Sequence, residues 1–159
     1  MSESQFTHVS PEGQPKMVDI SGKAVTKRTA RARAIINPGK EILAALADGE
    51  ILTKKGPVFQ TAIIAGVMGA KKTSELIPFC HPVALEDCQI NIVVKDDRIV
   101  IESTAVVSGK TGVEMEALSA ATIASLTVYD MCKALSHDIV IESIQLLEKT
   151  GGKKDVKKD

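Results

Sequence analysis

Two stretches in the middle of the chain carry apolar side chains at every second position, which is the period of a β-strand. Residues 89–95 and 98–107 each place apolar residues on one side and polar residues on the other. Asp96 and Asp97 lie between them and suit a two-residue hairpin turn. The pattern predicts an antiparallel hairpin with one buried face and one wetter face.

Other stretches predict three helices. Residues 38–48 begin with a proline after an asparagine and stop at Gly49, which are helix start and stop signals. Residues 57–75 also begin with a proline, and residues 113–136 form a long, mostly apolar helix. Between the first two helices, the basic segment 50–56 is predicted to be a loop.

With further strands at residues 31–36 and 138–148, the predicted order of elements is β-α-α-β-β-α-β. Without one helix, this is the β-α-β-β-α-β order of the ferredoxin-like arrangement. We therefore predict an α+β fold of the ferredoxin-like class, with helices on one face of an antiparallel sheet and one extra helix.

The length of 159 residues suits a single domain. Residues 1–21 contain scattered Gly, Pro and Ser without periodicity and are predicted to be a mobile arm. Residues 150–159 contain two glycines and four lysines and are predicted to be a flexible basic tail. The predicted catalytic domain is then 22–149.

Composition excludes several classes of protein. The formal net charge is zero, and the chain has no Trp and one Tyr, so neither a cationic nor a base-stacking nucleic-acid surface is expected. The three cysteines form no Cys-x-x-Cys pair, which predicts a reducing, cytoplasmic location. We see no signal peptide and no membrane-spanning run. The Cys and His spacing does not match zinc sites, so no metal is predicted.

The long helix carries one polar stripe. At 100° per residue, a narrow sector contains Ser119, Thr122, Asp130, Lys133 and His137. Asp130 and Lys133 face the same way, either as an exposed ion pair or as a functional pair whose pKa values are shifted by apolar surroundings. Because the helix is apolar on most sides, we expect a second subunit to cover one of them.

Glu116 lies on about the same face as Asp130, fourteen residues earlier. At 1.5 Å per residue, the two carboxylates are roughly 21 Å apart along a straight helix. They therefore serve opposite ends of an extended ligand, or they meet through different subunits.

Lysines lie where the helix macrodipole disfavours them. Lys54 and Lys55 precede a predicted helix start, which carries partial positive charge. One interpretation is a solvated lysine pair, and the other is an anionic ligand that relieves the conflict. Lys149, Lys153 and Lys154 are candidates to join the same anion site.

His81 lies between Cys80 and Pro82, in a turn that fixes its direction.

Residues 108–111 look like the end of a P-loop. That motif needs a glycine five residues before Gly109, where this chain has Thr104, so we exclude a Walker A site. Backbone N–H groups at the following helix start stay a candidate anion contact. Lysines, a histidine and carboxylates without a metal cluster favour lyase or phosphate-cyclising chemistry on an anionic small molecule.

Several segments resemble the cyclic pyranopterin monophosphate synthase family, also called molybdenum cofactor biosynthesis protein C. They follow one another in order and span most of the chain. The segments are Met17-Val18-Asp19-Ile20, Lys55-Gly56, Ala70-Lys71-Lys72-Thr73, Leu76-Ile77-Pro78-Phe79-Cys80-His81-Pro82, Gly109-Lys110-Thr111-Gly112-Val113-Glu114-Met115-Glu116-Ala117-Leu118, Tyr129-Asp130-Met131-Cys132-Lys133 and Gly151-Gly152-Lys153.

The resemblance implies a ferredoxin-like hexamer, a trimer of dimers, with active sites at subunit interfaces. It implies conversion of 3',8-cyclo-7,8-dihydroguanosine 5'-triphosphate into cyclic pyranopterin monophosphate with release of diphosphate. It implies no resident cofactor, and it leaves open whether Mg²⁺ accompanies the triphosphate.

The resemblance also assigns site residues. Asp130 matches the family's active-site acid, and Lys55 and Lys133 match its catalytic lysines. Our mechanistic hypothesis is that Asp130 and Lys133 form an acid–base pair, Lys55 holds the triphosphate, and His81 positions or protonates the sugar-phosphate end. The predicted substrate-binding residues are Phe79, Cys80, His81, Glu114, Met115, Glu116, Arg28 and Lys149.

One position departs from the family pattern. The family often has aspartate after the Lys-Gly pair, where this chain has Pro57. Proline is well tolerated at a helix start, so Lys55 is expected to stay in place, but any role of that aspartate is lost.

The alternatives to a synthase are a non-catalytic nucleotide-binding accessory protein of the same pathway and a structural scaffold.

Overall fold

The computed structural model describes residue 10 and residues 13–158 of the chain. Much of the predicted N-terminal arm, residues 1–9, 11 and 12, lies outside the described residues. In chain order the elements are β1 (Thr26–Asn37), α1 (Lys40–Ala44), β2 (Leu46–Ala47), β3 (Glu50–Thr53), β4 (Gly56–Pro57), α2 (Val58–Lys71), α3 (Thr73–Leu76), β5 (Asp87–Lys95), β6 (Arg98–Gly109), α4 (Glu114–Cys132), β7 (Val140–Thr150) and β8 (Val156–Lys157).

The main sheet has five strands in the order β5-β6-β1-β7-β8, and every pairing in it is antiparallel. The long helices α2 and α4 contact each other, and both pack on the sheet. The predicted α+β class, with helices on an antiparallel sheet, is therefore confirmed. Within the predicted basic tail, Val156 and Lys157 pair with Lys149 and Glu148 of β7.

Small side chains separate α4 from the sheet. The buried positions of β1 include Ala30, Ala32 and Ala34, which alternate with more exposed residues. Four fully buried positions of α4 are occupied by Ala117, Ala120, Ala121 and Ala124, of which Ala120 and Ala124 also lie against Gly66 of α2. We call this the alanine layer. Because none of these side chains extends beyond Cβ, the helix axis lies close to the strands.

Glycines allow α2 to approach α4 just as closely. A Cβ atom on Gly66 would lie 2.9 Å from the backbone oxygen of Ala120, and one on Gly69 would lie 2.6 Å from Ile123 Cγ1. The weak helix propensity of glycine is thus offset by close packing, of Gly66 against the backbone of α4 and of Gly69 against the Ile123 side chain.

The predicted β5–β6 hairpin is confirmed. Lys95 pairs with Arg98 across a two-residue turn, and Asp96 and Asp97 have φ angles of 49° and 57°. Two successive positive φ values define the hairpin turn whose twist matches that of the flanking strands. Along β6, the predicted apolar face is buried, including Ile99 and Ile101.

The prediction for residues 38–56 was wrong in two respects. The first helix is only α1, and the predicted loop 50–56 contains two short strands, so that β2, β3 and β4 form a second small sheet. Asp48 and Gly49 have φ angles of 51° and 77° and join Ala47 to Glu50 in a hairpin. An Asp-Gly pair is a strong hairpin signal, and reading the glycine as a helix stop missed it.

The predicted ends of the longer helices also need correction. The helix predicted at 57–75 divides at Lys72, whose ψ of 9° interrupts it, into α2 and the short α3. The helix predicted at 113–136 ends at Cys132. Helix ends fray into turns, so the final residues of an apolar pattern are weak guides to the boundary. Within the described chain, no helix combines the length and apolar character that a bilayer crossing requires.

Candidate active site

Three predicted catalytic residues meet at the C-terminal end of α4. The Lys55 Nζ donates a hydrogen bond to Asp130 Oδ2 at 2.7 Å, and the Lys133 Nζ lies 2.7 Å from Asp130 Oδ1. The Lys55 Nζ also donates to the backbone oxygen of Asp130 at 3.1 Å. We call these residues the Asp130 cluster. Each carboxylate oxygen thus has its own ammonium partner, an arrangement suited to proton transfer or to binding a second anion.

The charge state of the Asp130 cluster is set by its ion pairs. The hydrogen bonds from Lys133 and Lys55 lower the pKa of Asp130 from 3.8 to about 2, and the hydrogen bond to Asp130 raises the pKa of Lys133. The sequence left open an exposed ion pair or a pair shifted by apolar surroundings, and in the single chain hydrogen bonding rather than desolvation shifts both pKa values. The side chains of Asp130 and Lys133 are 54% and 48% exposed in the single chain. The cluster is therefore an open, fully charged site on this chain.

Lys55 reaches this cluster from the turn between β3 and β4. Thr53 pairs with Gly56 across that turn, and the Lys55 amide donates to Thr53 Oγ1 at 3.1 Å. Gly56 has a φ angle of 110°, a conformation that residues with a side chain rarely adopt. A tight hairpin, rather than the predicted loop, therefore carries the lysine.

The other predicted site residues gather at the opposite end of α4. A cavity of about 600 Å³ is lined by Val18, Ile20, Lys23, Phe79, Cys80, His81, Thr111, Gly112, Glu114, Met115, Glu116 and Lys153. We call it the Glu116 pocket. The turn before β5, the start of α4 and the N-terminal segment each form part of its wall. The pocket thus brings together six residues that we predicted from the sequence to contact a substrate.

Two glutamates in the first turn of α4, Glu114 and Glu116, have pKa values shifted in opposite directions. Glu116 is 3% exposed, and burial raises its pKa, with a smaller contribution from the charge of Glu114. Burial alone would also raise the pKa of Glu114, but the hydrogen bond and charge of Lys149, with the charge of Arg28, outweigh it and lower that pKa. The Lys149 Nζ lies 2.8 Å from Glu114 Oε1. One carboxyl group is therefore disposed to hold a proton and the other to stay ionised.

Basic residues adjoin the Glu116 pocket. A second cavity of about 220 Å³ shares Gly112, Glu114 and Lys153 with it and is also lined by Arg28 and Lys149. The Arg28 Nε donates to the backbone oxygen of Gly109 at 3.1 Å, which directs the guanidinium towards the start of α4. These cations form a continuous basic border beside the two glutamates.

The single chain does not bring all of its predicted catalytic residues together. His81 lies in the Glu116 pocket, whereas Lys55, Asp130 and Lys133 lie at the far end of α4, roughly 21 Å away by helix rise. For the same reason, the lysines predicted to form one anion site are divided: Lys149 and Lys153 border the Glu116 pocket and Lys55 does not. Val18, Ile20 and Lys23 were missed as pocket residues, although Val18 and Ile20 lie in a segment that resembles the family.

One of the two interpretations of Lys54 and Lys55 was an anionic ligand at the following helix start, and a carboxylate of the chain itself occupies that helix start. The Glu50 carboxylate accepts hydrogen bonds from the backbone N–H groups of Phe59 at 2.8 Å and Gln60 at 3.2 Å, in the first turn of α2. An external anion is not needed to satisfy these donors.

No metal-ligand cluster of three His, Cys, Asp or Glu side chains occurs among the residues that the structure describes. Of the carboxylates in the two parts of the site, Asp130 and Glu114 are paired with lysines and Glu116 is buried. These carboxylates, the lysines and His81 supply proton donors, proton acceptors and cations to the site.

Fold and site together define a small α+β protein with a lysine–carboxylate cluster at one end of a helix and a glutamate-lined pocket at the other. A family model described as MoaC family matches residues 17–152, and the chain belongs to that family. Molybdenum cofactor biosynthesis protein 1 of Dictyostelium discoideum is 48% identical over 171 residues, which cover 96% of this chain and 27% of the relative. The chain thus spans about a quarter of the length of the curated relative that it matches.

Proposed function

We propose that the protein is a cyclic pyranopterin monophosphate synthase of molybdenum cofactor biosynthesis. The proposal rests on family membership over residues 17–152 and on the presence of acid, base and cationic groups in the family's motif positions. The substrate is the cyclised dihydro-GTP triphosphate. Its α-phosphorus forms a new bond to a sugar oxygen while its bond to the departing diphosphate breaks, and the pyranopterin ring is formed in the same overall reaction.

The fold that we propose is ferredoxin-like. The strands β1, β5, β6 and β7, with α2 and α4, follow the β-α-β-β-α-β order, and their spatial order is β5-β6-β1-β7. The strand β8, the small second sheet and the two short helices are additions to it.

The active site is proposed to form between subunits of a trimer of dimers. Two facts about the single chain support this: the catalytic groups lie at opposite ends of α4, and large apolar side chains on the helices are exposed, including Ile64 at 62%, Met68 at 54% and Leu126 at 51%. A second subunit that covers such a face also encloses the half-exposed Asp130 cluster. The Asp130 cluster of one subunit then meets the Glu116 pocket of another.

We assign different parts of the reaction to the groups at the two ends of α4. The basic border formed by Arg28, Lys149 and Lys153 binds the triphosphate and stabilises the diphosphate as it leaves. Asp130 and Lys133 exchange protons during ring opening and closure, and Lys55 neutralises negative charge that develops beside them. This assignment moves the triphosphate contact from Lys55, where we first placed it, to the basic border.

The Glu116 pocket is proposed to bind the pterin and sugar parts of the substrate and to supply a proton. Glu116, with its raised pKa, donates a proton to a leaving oxygen or nitrogen. His81 positions the sugar-phosphate end, and Phe79 and Met115 pack against the pterin ring. Mg²⁺ that arrives with the triphosphate is compatible with this scheme, since no step depends on a protein-bound metal.

Three free cysteines, Cys80, Cys88 and Cys132, fit the reducing conditions of the cytoplasm, which is the location that we propose. In such conditions thiols stay reduced, so Cys80 lines the pocket as a small apolar group.

A single-turnover reaction tests the proposed function. The purified chain is mixed in excess with the cyclised dihydro-GTP substrate, and diphosphate and the pterin product are both measured. We expect both products from the wild type and little of either from Lys55→Ala, with Lys54→Ala as the matched control that keeps turnover. Binding of substrate without product from a folded wild-type oligomer would instead indicate an accessory protein.

Subunit complementation tests the interface site. Glu116→Gln and Asp130→Asn are each expected to be inactive, because each lacks one half of the site. When the two variants are dissociated and reassembled together, mixed oligomers contain some interfaces with both native halves, and activity returns. If mixing restores no activity while subunit exchange is verified by mass spectrometry, the two halves belong to one chain.

A further inference from the structure

One carboxylate outside the proposed site joins two elements that flank Lys55. Glu50 is the first residue of β3, and its Oε1 accepts hydrogen bonds from the N–H groups of Ile51 and Phe59, both at 2.8 Å. Its Oε2 accepts from the N–H of Gln60 at 3.2 Å. The start of the β3–β4 hairpin is thus fastened to the first turn of α2.

Glu50 satisfies donors that the local sequence leaves open. Pro57 is the N-cap residue of α2 and makes no side-chain hydrogen bond to the helix. An aspartate at an N-cap accepts from the second or third N–H group of its helix, which here belong to Phe59 and Gln60. These are the two groups that Glu50 binds from outside the helix. The carboxylate therefore replaces the cap that Pro57 cannot provide.

The position of this contact matters for Lys55. Lys55 lies in the turn of a hairpin whose strands are only Glu50–Thr53 and Gly56–Pro57. The pairing of β3 with β2 and the burial of Ile51 already anchor one strand, and Glu50 adds a direct fastening from the base of this short hairpin to α2. Glu50 holds that base, while the Lys55 side chain at the tip reaches Asp130 Oδ2 at 2.7 Å.

Glu50 is also near the C-terminal end of α4. Burial, and then the negative charge of Glu50, raise the pKa of Cys132 to about 11, and Cys132 is the last residue of α4. The contacts of the carboxylate itself are with the start of β3 and the first turn of α2, the two elements between which the Lys55 turn lies.

We propose that Glu50 is a positioning residue for the reaction: by clamping the β3–β4 hairpin to the N-terminus of α2, it holds Lys55 against Asp130. This inference rests on the proposed function only in that Lys55 acts in turnover. Its physical content, that Glu50 orders Lys55, is independent of any substrate.

The design separates clamping from simple helix capping. Glu50→Ala removes both the clamp and the cap. Glu50→Ala combined with Pro57→Asp restores a helix cap from the N-cap position but leaves the hairpin base unfastened. Glu50→Gln keeps one acceptor oxygen and is the conservative variant, and Pro57→Asp alone is the control for the added aspartate.

Three quantities are measured on the full chain of each variant. The first is the melting temperature. The second is the ratio of acetylation at Lys55 to acetylation at Lys54 under limiting reagent, read by mass spectrometry, in which Lys54 is the internal reference from the same turn. The third is kcat and KM for the cyclised dihydro-GTP triphosphate.

Glu50→Ala is expected to lower the melting temperature by about 2–4 °C, to raise the Lys55 to Lys54 labelling ratio roughly two- to fivefold, and to lower kcat on the order of tenfold with a smaller change in KM. Adding Pro57→Asp recovers the melting temperature but neither the labelling ratio nor kcat. Glu50→Gln stays near the wild type in labelling ratio.

Two outcomes would overturn the proposal. If Pro57→Asp recovers the labelling ratio and kcat along with the melting temperature, Glu50 is only a helix cap. If Glu50→Ala leaves the labelling ratio unchanged, Glu50 does not order Lys55. A wild type without turnover contradicts the proposed function instead, and the labelling ratio still decides the role of Glu50.

Discussion

Replacing Glu116 by glutamine should make the protein more stable at neutral pH and leave its stability unchanged in acid. Burial raises the pKa of Glu116 above its ordinary value of 4.5, so ionising this group in the folded chain costs free energy. A carboxyl group with a raised folded pKa contributes fully below the unfolded pKa and loses that contribution as pH rises through the folded pKa. Glutamine keeps the shape and never ionises.

The size of the effect follows from the same linkage. Each unit by which the folded pKa exceeds the unfolded pKa is worth about 1.4 kcal/mol once pH is above both. For a chain of this length, that corresponds to roughly 3–6 °C in melting temperature per unit. The residue is only 3% exposed, so screening by solvent reduces this figure little.

The assay is thermal or denaturant unfolding of wild type and Glu116→Gln from about pH 4 to pH 8, plotted as the difference in the free energy of unfolding. The difference should be near zero below pH 4.5, grow as pH rises, and then level off. Glu114→Gln is the matched control from the same helical turn. Its pKa is lowered, so that variant should be less stable than wild type at pH 7, and the deficit should begin to shrink as pH falls below 4.5 towards the lowered folded pKa.

Opposite pH dependences of these two variants are expected if Glu116 has a raised pKa and Glu114, paired with Lys149, has a lowered pKa. A difference for Glu116→Gln that is flat across the pH range would refute it, because a flat difference means that the folded and unfolded pKa values of Glu116 are equal. A pH dependence of the same sign in both variants would also contradict the assignment of Lys149 as the partner of Glu114 alone.

Three further predictions concern the cluster, the helix contact and the thiols. Lys133→Met should raise the pKa of Asp130 from about 2 part of the way towards 3.8, as measured by carboxyl NMR titration. The reason is that the hydrogen bond from Lys133, the largest cause of the lowered pKa, is removed. Gly66→Val should lower the free energy of unfolding by about 3 kcal/mol in denaturant titration, since a Cβ there lies 2.9 Å from the Ala120 oxygen; an unchanged midpoint would contradict the close helix contact. With iodoacetamide at pH 8, Cys132 should be the last cysteine modified by mass spectrometry, because it is buried and its pKa is about 11.

The sequence predicts the sheet and its hairpin well because period and turn chemistry agree there. The alternation in residues 89–107 and the Asp96-Asp97 pair give one consistent answer. At residues 38–56 the signals compete, since Asp48-Gly49 serves equally as a helix stop and as a hairpin turn. The strands on either side of Asp48-Gly49, β2 and β3, are too short for alternating apolar positions to distinguish a hairpin turn from a helix stop.

For the site, the sequence predicts which residues matter better than it predicts their environment. Helix geometry places Asp130 beside Lys133 and far from Glu116, as the structure shows. Residue type along one helix does not reveal what covers that helix, so the exposure of Asp130 could not be derived. Nor could the hydrogen bonds of Glu50 to Phe59 and Gln60, because they depend on a hairpin that the sequence analysis did not predict.

The alanine layer determines how the two ends of α4 can move. Alanine has no side-chain rotamers, so this interface loses almost no side-chain entropy when the chain folds and has no alternative packing to adopt afterwards. Where larger side chains meet, a helix can shift by exchanging rotamers. Where the alanines of α4 and β1 are buried together, no rotamer exchange is available, so this part of the helix can shift only as a rigid body. A displacement of α4 along its axis at the Glu116 pocket therefore also moves the Asp130 cluster, because both are carried by the same helix.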